Sequence, residues 1–155
     1  MTGVQTCALP ISVTSVRELV TLAKSRPGTL NFASAGNGTS QHLSGELYKS
    51  LAGLDLVHVP YKGSAPALTD VAGGQVTYAT ETVAAAMPLI RAGKLRAYGI
   101  SLSKPSALAP GIEPLADSLN LPGFDVGAWI GIMLPAGTPA NVVERLSIAI
   151  CFQWR

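Results

Sequence analysis

Apolar positions along this chain change their period several times, and the changes mark out alternating helices and strands. In SVRELVTLAKS, residues 15–25, Val16, Leu19, Val20 and Ala23 recur at helical spacing, and RPG at 26–28 stops the run with a glycine just past its end. LNFAS, 30–34, then reads as a strand. SQHLSGELYKSLA, 40–52, returns to helical spacing with Leu43, Leu47 and Leu51 on one face and Gly53 as the C-terminal cap. DLVHVPY, 55–61, is a second strand. GSAPALTDVAGG, 63–74, predicts a short helix with Ser64 as N-cap and Pro66 in the first turn, where its missing N–H does no harm. QVTYATE, 75–81, predicts a third strand. A helix follows around residues 84–92, with Pro88 near its start or kinking it and Gly93 ending it. LRAYGIS, 95–101, is a fourth strand.

Strands beginning near residues 30, 56, 76 and 96 leave room for one crossover helix in each gap. Such spacing implies right-handed βαβ connections and a largely parallel sheet. The expected fold class is therefore α/β, a parallel-rich sheet flanked by helices. In such sheets ligands sit outside the carboxyl ends of the strands, at the strand-to-helix turns.

After Ser101 the character changes. SKPSALAPGIEPLADSLNLPGFDVG holds four of the chain's 11 prolines in a loop-rich connection, with a short helix expected near Pro114 to Leu119. WIGIMLP, 129–135, reads as an apolar strand, and AGTP leads into a helix at ANVVERLSIAI. The organisation expected is an α/β ligand-binding lobe over 13–103, then a hinge and partial return into another lobe over 104–150. Residues 1–12, MTGVQTCALPIS, have neither the charge nor the apolar length of a secretory signal, and GVQTCALPI resembles translated sequencing adapter. They are expected to be non-native, and the tail 151–155, CFQWR, which follows a helical pattern abruptly, is expected to be another sequence edge. Both cysteines, Cys7 and Cys151, fall in these ends, so cysteine usage does not indicate a redox compartment.

Composition narrows the function. With 48% hydrophobic and 13% charged residues, the chain has enough apolar material for a core, and disorder is excluded. A net charge of +2 without a basic stripe or aromatic–basic interleaving gives no nucleic-acid footprint. No apolar run reaches the roughly 18 to 20 residues of a membrane span.

The richest local chemistry lies in SAGNGTSQ, 34–41. Gly36 and Gly38 permit a tight backbone with N–H groups turned inward, and Thr39 or Ser40 supplies an N-cap hydroxyl at a helix start. Several N–H donors at the positive end of a helix form a seat for an anion, and a carboxylate suits it. A P-loop would need Lys before Ser or Thr, where Gly38 stands, and the GxGxxG fingerprint fails at Gln41. Tyr61 and Lys62 follow the second strand, and Glu81 and Thr82 the third, all at the same end of the sheet. Ser34, Tyr61 and Thr82 offer hydroxyls and Lys62 a charge to an acidic ligand. His42, in the first helical turn, is expected to fix the loop by hydrogen bonding, and His58 to face solvent or a neighbouring helix. Neither belongs to a metal or nucleophile motif, and no cofactor motif accompanies them. Tyr98 and Trp129 are expected to pack, and Asp70 to lie on an exposed helix face.

GTLNFASAGNGTSQHLSGELYKSLAGLDLVHVPYKGSAPALTDVAGGQV, then RAGKLRAYGIS and WIGIMLPAGTP, together resemble the Bug family of solute receptors, the extracytoplasmic binding proteins of tripartite tricarboxylate transport systems. The similarity runs over about residues 13–150, with the motifs in the family's order. It implies a periplasmic-binding-protein-like (type II) fold, a two-lobed clamp of about twice this length that closes on a ligand. It further implies a periplasmic, noncatalytic protein, monomeric when complete, that hands a di- or tricarboxylate or acidic amino acid to membrane transporter subunits. Ligand contacts would come from Ser34, Ala35, Gly36, Asn37, Gly38, Thr39, Ser40, Tyr61, Lys62, Glu81 and Thr82. Bug proteins usually carry Asp where Glu81 stands, suited in amino-acid-binding members to an ammonium group; the longer side chain here departs from that pattern. The alternative is an α/β enzyme using the same loop as an oxyanion site, for which no nucleophile, base or metal set is identifiable.

Overall fold

The structure, a computed structural model, describes residues 2–8, 13–128 and 133–152. In chain order the elements are β1 (Thr2–Ala8), α1 (Val16–Ser25), β2 (Asn31–Ser34), α2 (Ser40–Ala52), β3 (Val57–Pro60), α3 (Ser64–Ala72), β4 (Tyr78–Thr82), α4 (Val83–Arg91), β5 (Arg96–Ile100), α5 (Leu115–Leu119), β6 (Gly127–Ala128) and α6 (Ala140–Phe152). The strand order is β3-β2-β4-β1-β5, and β6 pairs with the start of β1.

The four strands expected from the apolar pattern share one direction. β2 is parallel to β3 and to β4, and β5 joins them through β1, which is antiparallel to both of its neighbours. β1 is the main departure from expectation. Residues 2–8, read as lying outside the lobe, form a strand between β4 and β5, with Val4 opposite Thr82 and Ala8 opposite Tyr78. Its pairing is made by backbone groups with strands far along the chain, so no local periodicity announced it.

Side chains alternate across the sheet and build one core on each face. Phe32 and Tyr78 point to one side, where they meet α1, α2 and the region around Leu115 and Phe124. Ala33 and Ala79 point to the other, against Ala67, Leu68 and Val71 of α3 and Ala86 of α4. Because α2 and α4 lie on opposite faces, the turns leaving the adjacent parallel strands β2 and β4 part in opposite directions, the topological switch point at which sheets of this kind form a ligand crevice.

Two helices depart in detail from the sequence reading. The buried face of α2 is Gln41, Ser44, Gly45 and Tyr48, whereas Leu43 and Leu51 are exposed. Small residues let the helix approach Phe32 closely, which the leucine stripe would not. Gly63, not Ser64, caps α3, at φ 110°, and no side-chain capping bond is made. Of the two positions expected for Pro88, the structure shows the internal one: it lies inside α4 and not at its start. The expected strand WIGIMLP falls largely on residues 129–132 and Trp129 with it, outside the described residues, as do residues 153–155 of the tail. α6 is exposed along its described side chains, including Val142, Val143, Leu146 and Ile148. No helix among the described residues is long and apolar enough to cross a membrane.

Candidate functional site

The glycine-rich turn joins the carboxyl end of β2 to the N-terminus of α2 at the crevice. Gly36 has φ 140° and Gly38 φ 76°, both in the region that disfavours side chains. Thr39 is the N-cap: its hydroxyl oxygen accepts from the His42 N–H at 3.3 Å and donates to the Gly36 carbonyl at 2.7 Å. Thr39→Ala is expected to cost about 1 kcal/mol, the usual value of an N-cap bond. A drop in the denaturation midpoint at unchanged slope checks this, and an unchanged midpoint would show that the bond contributes nothing.

The inward N–H groups of Gly36 and Gly38 are already engaged. Gly36 N–H donates to Ser34 Oγ at 3.2 Å, and Gly38 N–H donates to His42 Nδ1 at 3.1 Å. The donors left to a ligand are those of the first turn of α2, Ser40 and Gln41, together with Asn37, which take no partner among the described residues. Ser34 is fully buried and its hydroxyl lies 2.7 Å from His58 Nε2, so it supports the turn from beneath and does not face the crevice. Ala35 is tied to the neighbouring turn, its carbonyl accepting from Gly63 N–H at 3.0 Å.

The turn after β3 lies against this one. Tyr61 N–H donates to the Ser34 carbonyl at 3.0 Å, and a Cβ on Gly36 would meet the Tyr61 carbonyl oxygen at 3.2 Å. The Tyr61 hydroxyl donates to Asp70 Oδ2 at 2.7 Å; burial, then that bond and the Asp70 charge, push it up to about 12. Asp70, expected on an exposed helix face, is half-buried there and is the partner of the Tyr61 hydroxyl. Lys62 is exposed and has no ion-pair partner among the described residues.

Beneath the crevice lies Glu81, with 0% of its surface exposed. Its Oε2 accepts from the Thr82 N–H at 3.0 Å, while Oε1 takes no partner among the described residues. Burial raises its pKa, opposed by the nearby Ser64 hydroxyl, the Thr82 N–H and the Gln41 side chain. Ser64 and Gln41 stand close enough to favour the charged form, yet neither reaches hydrogen-bond geometry with Oε1. Thr80 Oγ1 donates to the Gln41 carbonyl at 2.7 Å, which ties β4 to the start of α2. Thr82 is the N-cap residue of α4, but its hydroxyl makes no capping bond. Gln41 and Ser64 were not singled out from the sequence as neighbours of Glu81. Their place at the first turns of two helices was the available signal. Tyr98 serves packing and also anchors, donating to the Val13 carbonyl at 2.8 Å.

The profile of the tripartite tricarboxylate transporter family receptor, TctC, matches residues 2–153. The chain belongs to the TctC family. A UPF0065 protein encoded in the tcbD–tcbE intergenic region of Pseudomonas sp. (strain P51) is 40% identical over 135 residues, covering 87% of this chain and 40% of that protein. BugT of Bordetella pertussis is 34% identical over 137 residues, covering 88% of this chain and 42% of BugT. MatC from Rhodopseudomonas palustris, solved with bound malate, superposes with a TM-score of 0.89 at 34% identity, over 97% of this chain and 51% of MatC. An R. palustris protein solved with adipate gives 0.89 at 32% identity, over 96% and 50%. The chain thus has the fold of TctC-family periplasmic binding proteins and spans about half the length of the solved relatives. The glycine-rich turn, the Tyr61–Lys62 turn and the end of β4 come together in it at one end of the sheet.

Proposed function

We propose that this TctC-family chain supplies one lobe of a periplasmic receptor that captures a small carboxylate and delivers it to a tripartite tricarboxylate-type transporter. The observation that carries the reading is the start of α2, where free N–H groups at the positive end of a 13-residue helix open into the crevice beside β4. Two relatives solved with dicarboxylates, malate and adipate, support that ligand class. Ligand oxygens bridging these donors to the facing lobe would shift the clamp toward its closed form. Ser40, Gln41, Asn37 and Lys62 are the ligand-facing groups of this lobe. Ser34, Gly36, Gly38 and Thr39 hold the turn's shape, and Glu81 and Thr82 form its floor.

A chimera joining this chain to the half of MatC that it does not cover tests the reading. Thermal stability should rise with malate or adipate, and the acid should be recovered unchanged after prolonged incubation. Product in that incubation would replace the receptor by an enzyme. Gly36→Val with Gly38→Val should abolish the rise, because each valine is forced into a positive φ at about 1–2 kcal/mol and the first also crowds Tyr61. Undiminished ligand stabilisation in a folded double variant would remove the turn from the site.

A further inference from the structure

His42 and His58 lie face to face, ring centroids 4.0 Å apart and planes 10° from parallel. Phe32 stacks on the other face of His58 at 4.8 Å, and Tyr78 follows at 5.8 Å, so the pair caps an aromatic ladder rising from the core. Each ring also reaches the glycine-rich turn. His42 Nδ1 accepts from the Gly38 N–H, and His58 Nε2 lies 2.7 Å from Ser34 Oγ, which accepts from the Gly36 N–H. Both glycine N–H groups are therefore held by one imidazole pair, directly at Gly38 and through Ser34 at Gly36.

We infer that His42 and His58 are positioning residues that act as one unit, holding the glycine-rich turn in shape while both rings are neutral and releasing it when the pair takes up a proton. The chemistry follows from the acceptor at His42. Nδ1 can accept from Gly38 only in the tautomer that carries its proton on Nε2; a proton on Nδ1 sets two donors against each other. At His58 the bond to Ser34 survives protonation, because Ser34 Oγ can accept from a protonated Nε2 while donating to the Gly36 carbonyl at 3.2 Å, so Gly38 is where the turn lets go first. Two parallel rings at 4.0 Å cannot both carry charge cheaply, so the pair titrates in coupled steps. The charged groups acting on His58 are His42, Glu46 and Lys49, all on α2. Burial and the His42 and Lys49 charges lower its pKa, and Glu46 opposes them. Behind the rings, β2 presents Phe32 and Ser34, and β4 presents Tyr78, whose hydroxyl titrates well above its ordinary value because it is buried. The consequence for ligand capture rests on the receptor reading above, whereas the latch is a property of the free chain.

The chain has two histidines, so both imidazoles and the glycine amides are resolvable in 1H–15N spectra without ligand. Between pH 8 and 5 the Gly36 and Gly38 amide signals should move on the same coupled curve as the rings. Protection of the Gly38 amide from hydrogen exchange, corrected for intrinsic pH dependence, should fall about tenfold with the loss of its bond. His42→Asn places Oδ1 where Nδ1 stands, and should keep the Gly38 shift while removing its pH dependence. In His58→Gln the second step should disappear from the amide curves. Glycine amides that stay still while the rings titrate, or a His42 curve unchanged by His58→Gln, would overturn the inference. Neither outcome depends on whether the protein binds a carboxylate.

Discussion

Gly45→Ala is expected to destabilise the lobe by about 1–3 kcal/mol, although alanine is the better helix former. The substitution pits two effects against each other. Glycine inside a helix costs about 0.8–1.0 kcal/mol relative to alanine, so propensity alone predicts a gain at this position in α2. Packing predicts the reverse, because a Cβ on Gly45 would lie 2.3 Å from Phe32 Cε2 and 2.9 Å from both Cδ2 and Cζ. The ring cannot swing aside: Phe32 is 0% exposed and stacked between His58 and Tyr78. Relief must come from α2 lifting off the sheet, and α2 carries Thr39, Ser40 and Gln41 at its start. Packing therefore wins, and the glycine-rich turn should be disturbed along with the core. Denaturant unfolding at constant slope measures the loss, and a variant as stable as the parent would show that the helix moves freely.

The same glycine shows what sequence patterning can and cannot reveal. The alternation of strand and helix was legible because each element keeps its own period over enough residues, and α1, α2 and β2 to β5 fall where that period placed them. Which face of α2 is buried was not legible. Leu43 and Leu51 advertise an apolar stripe, but Leu43 is 58% exposed while Gln41, Ser44 and Gly45 lie against the sheet. Close approach to Phe32 selects small residues over large ones, and that demand comes from the partner strand. β1 was hidden for a related reason, since its place between β4 and β5 is decided by distant backbone groups. At the site, glycines with positive φ and a capping hydroxyl could be read directly from SAGNGTSQ. The engagement of the Gly38 N–H by His42 follows the loop-fixing hydrogen bond expected of that residue, whereas that of the Gly36 N–H could not be read, because it runs through Ser34 to a histidine from a different strand.

Glu81→Gln should stabilise the lobe relative to the parent, increasingly so as pH rises from about 4 toward 8. Burial holds the Glu81 carboxyl above the ordinary carboxylate range, and no cation is among the groups that act on it. The folded chain thus keeps a proton that the unfolded chain has released. Stability from this group is fully present below the unfolded value of about 4.3 and is lost as pH climbs through the raised folded value. Glutamine has nearly the same shape and no charge to strand, so that loss is absent from the variant. An unsatisfied buried acceptor costs about 1–3 kcal/mol, which sets the scale of the divergence once the parent carboxyl ionises around its unpartnered Oε1. The histidine pair titrates in the same range, but both proteins carry it, so it cancels in the difference between their stability curves. Urea denaturation of both proteins at successive pH values gives that difference directly. A constant offset from pH 4 to 8 would mean that Glu81 finds a donor when it ionises, with Gln41 or Ser64 turning to meet Oε1. Glu81 would then be an adaptable floor to the crevice. A widening offset would instead mark it as a carboxyl kept protonated beneath the first turn of α2.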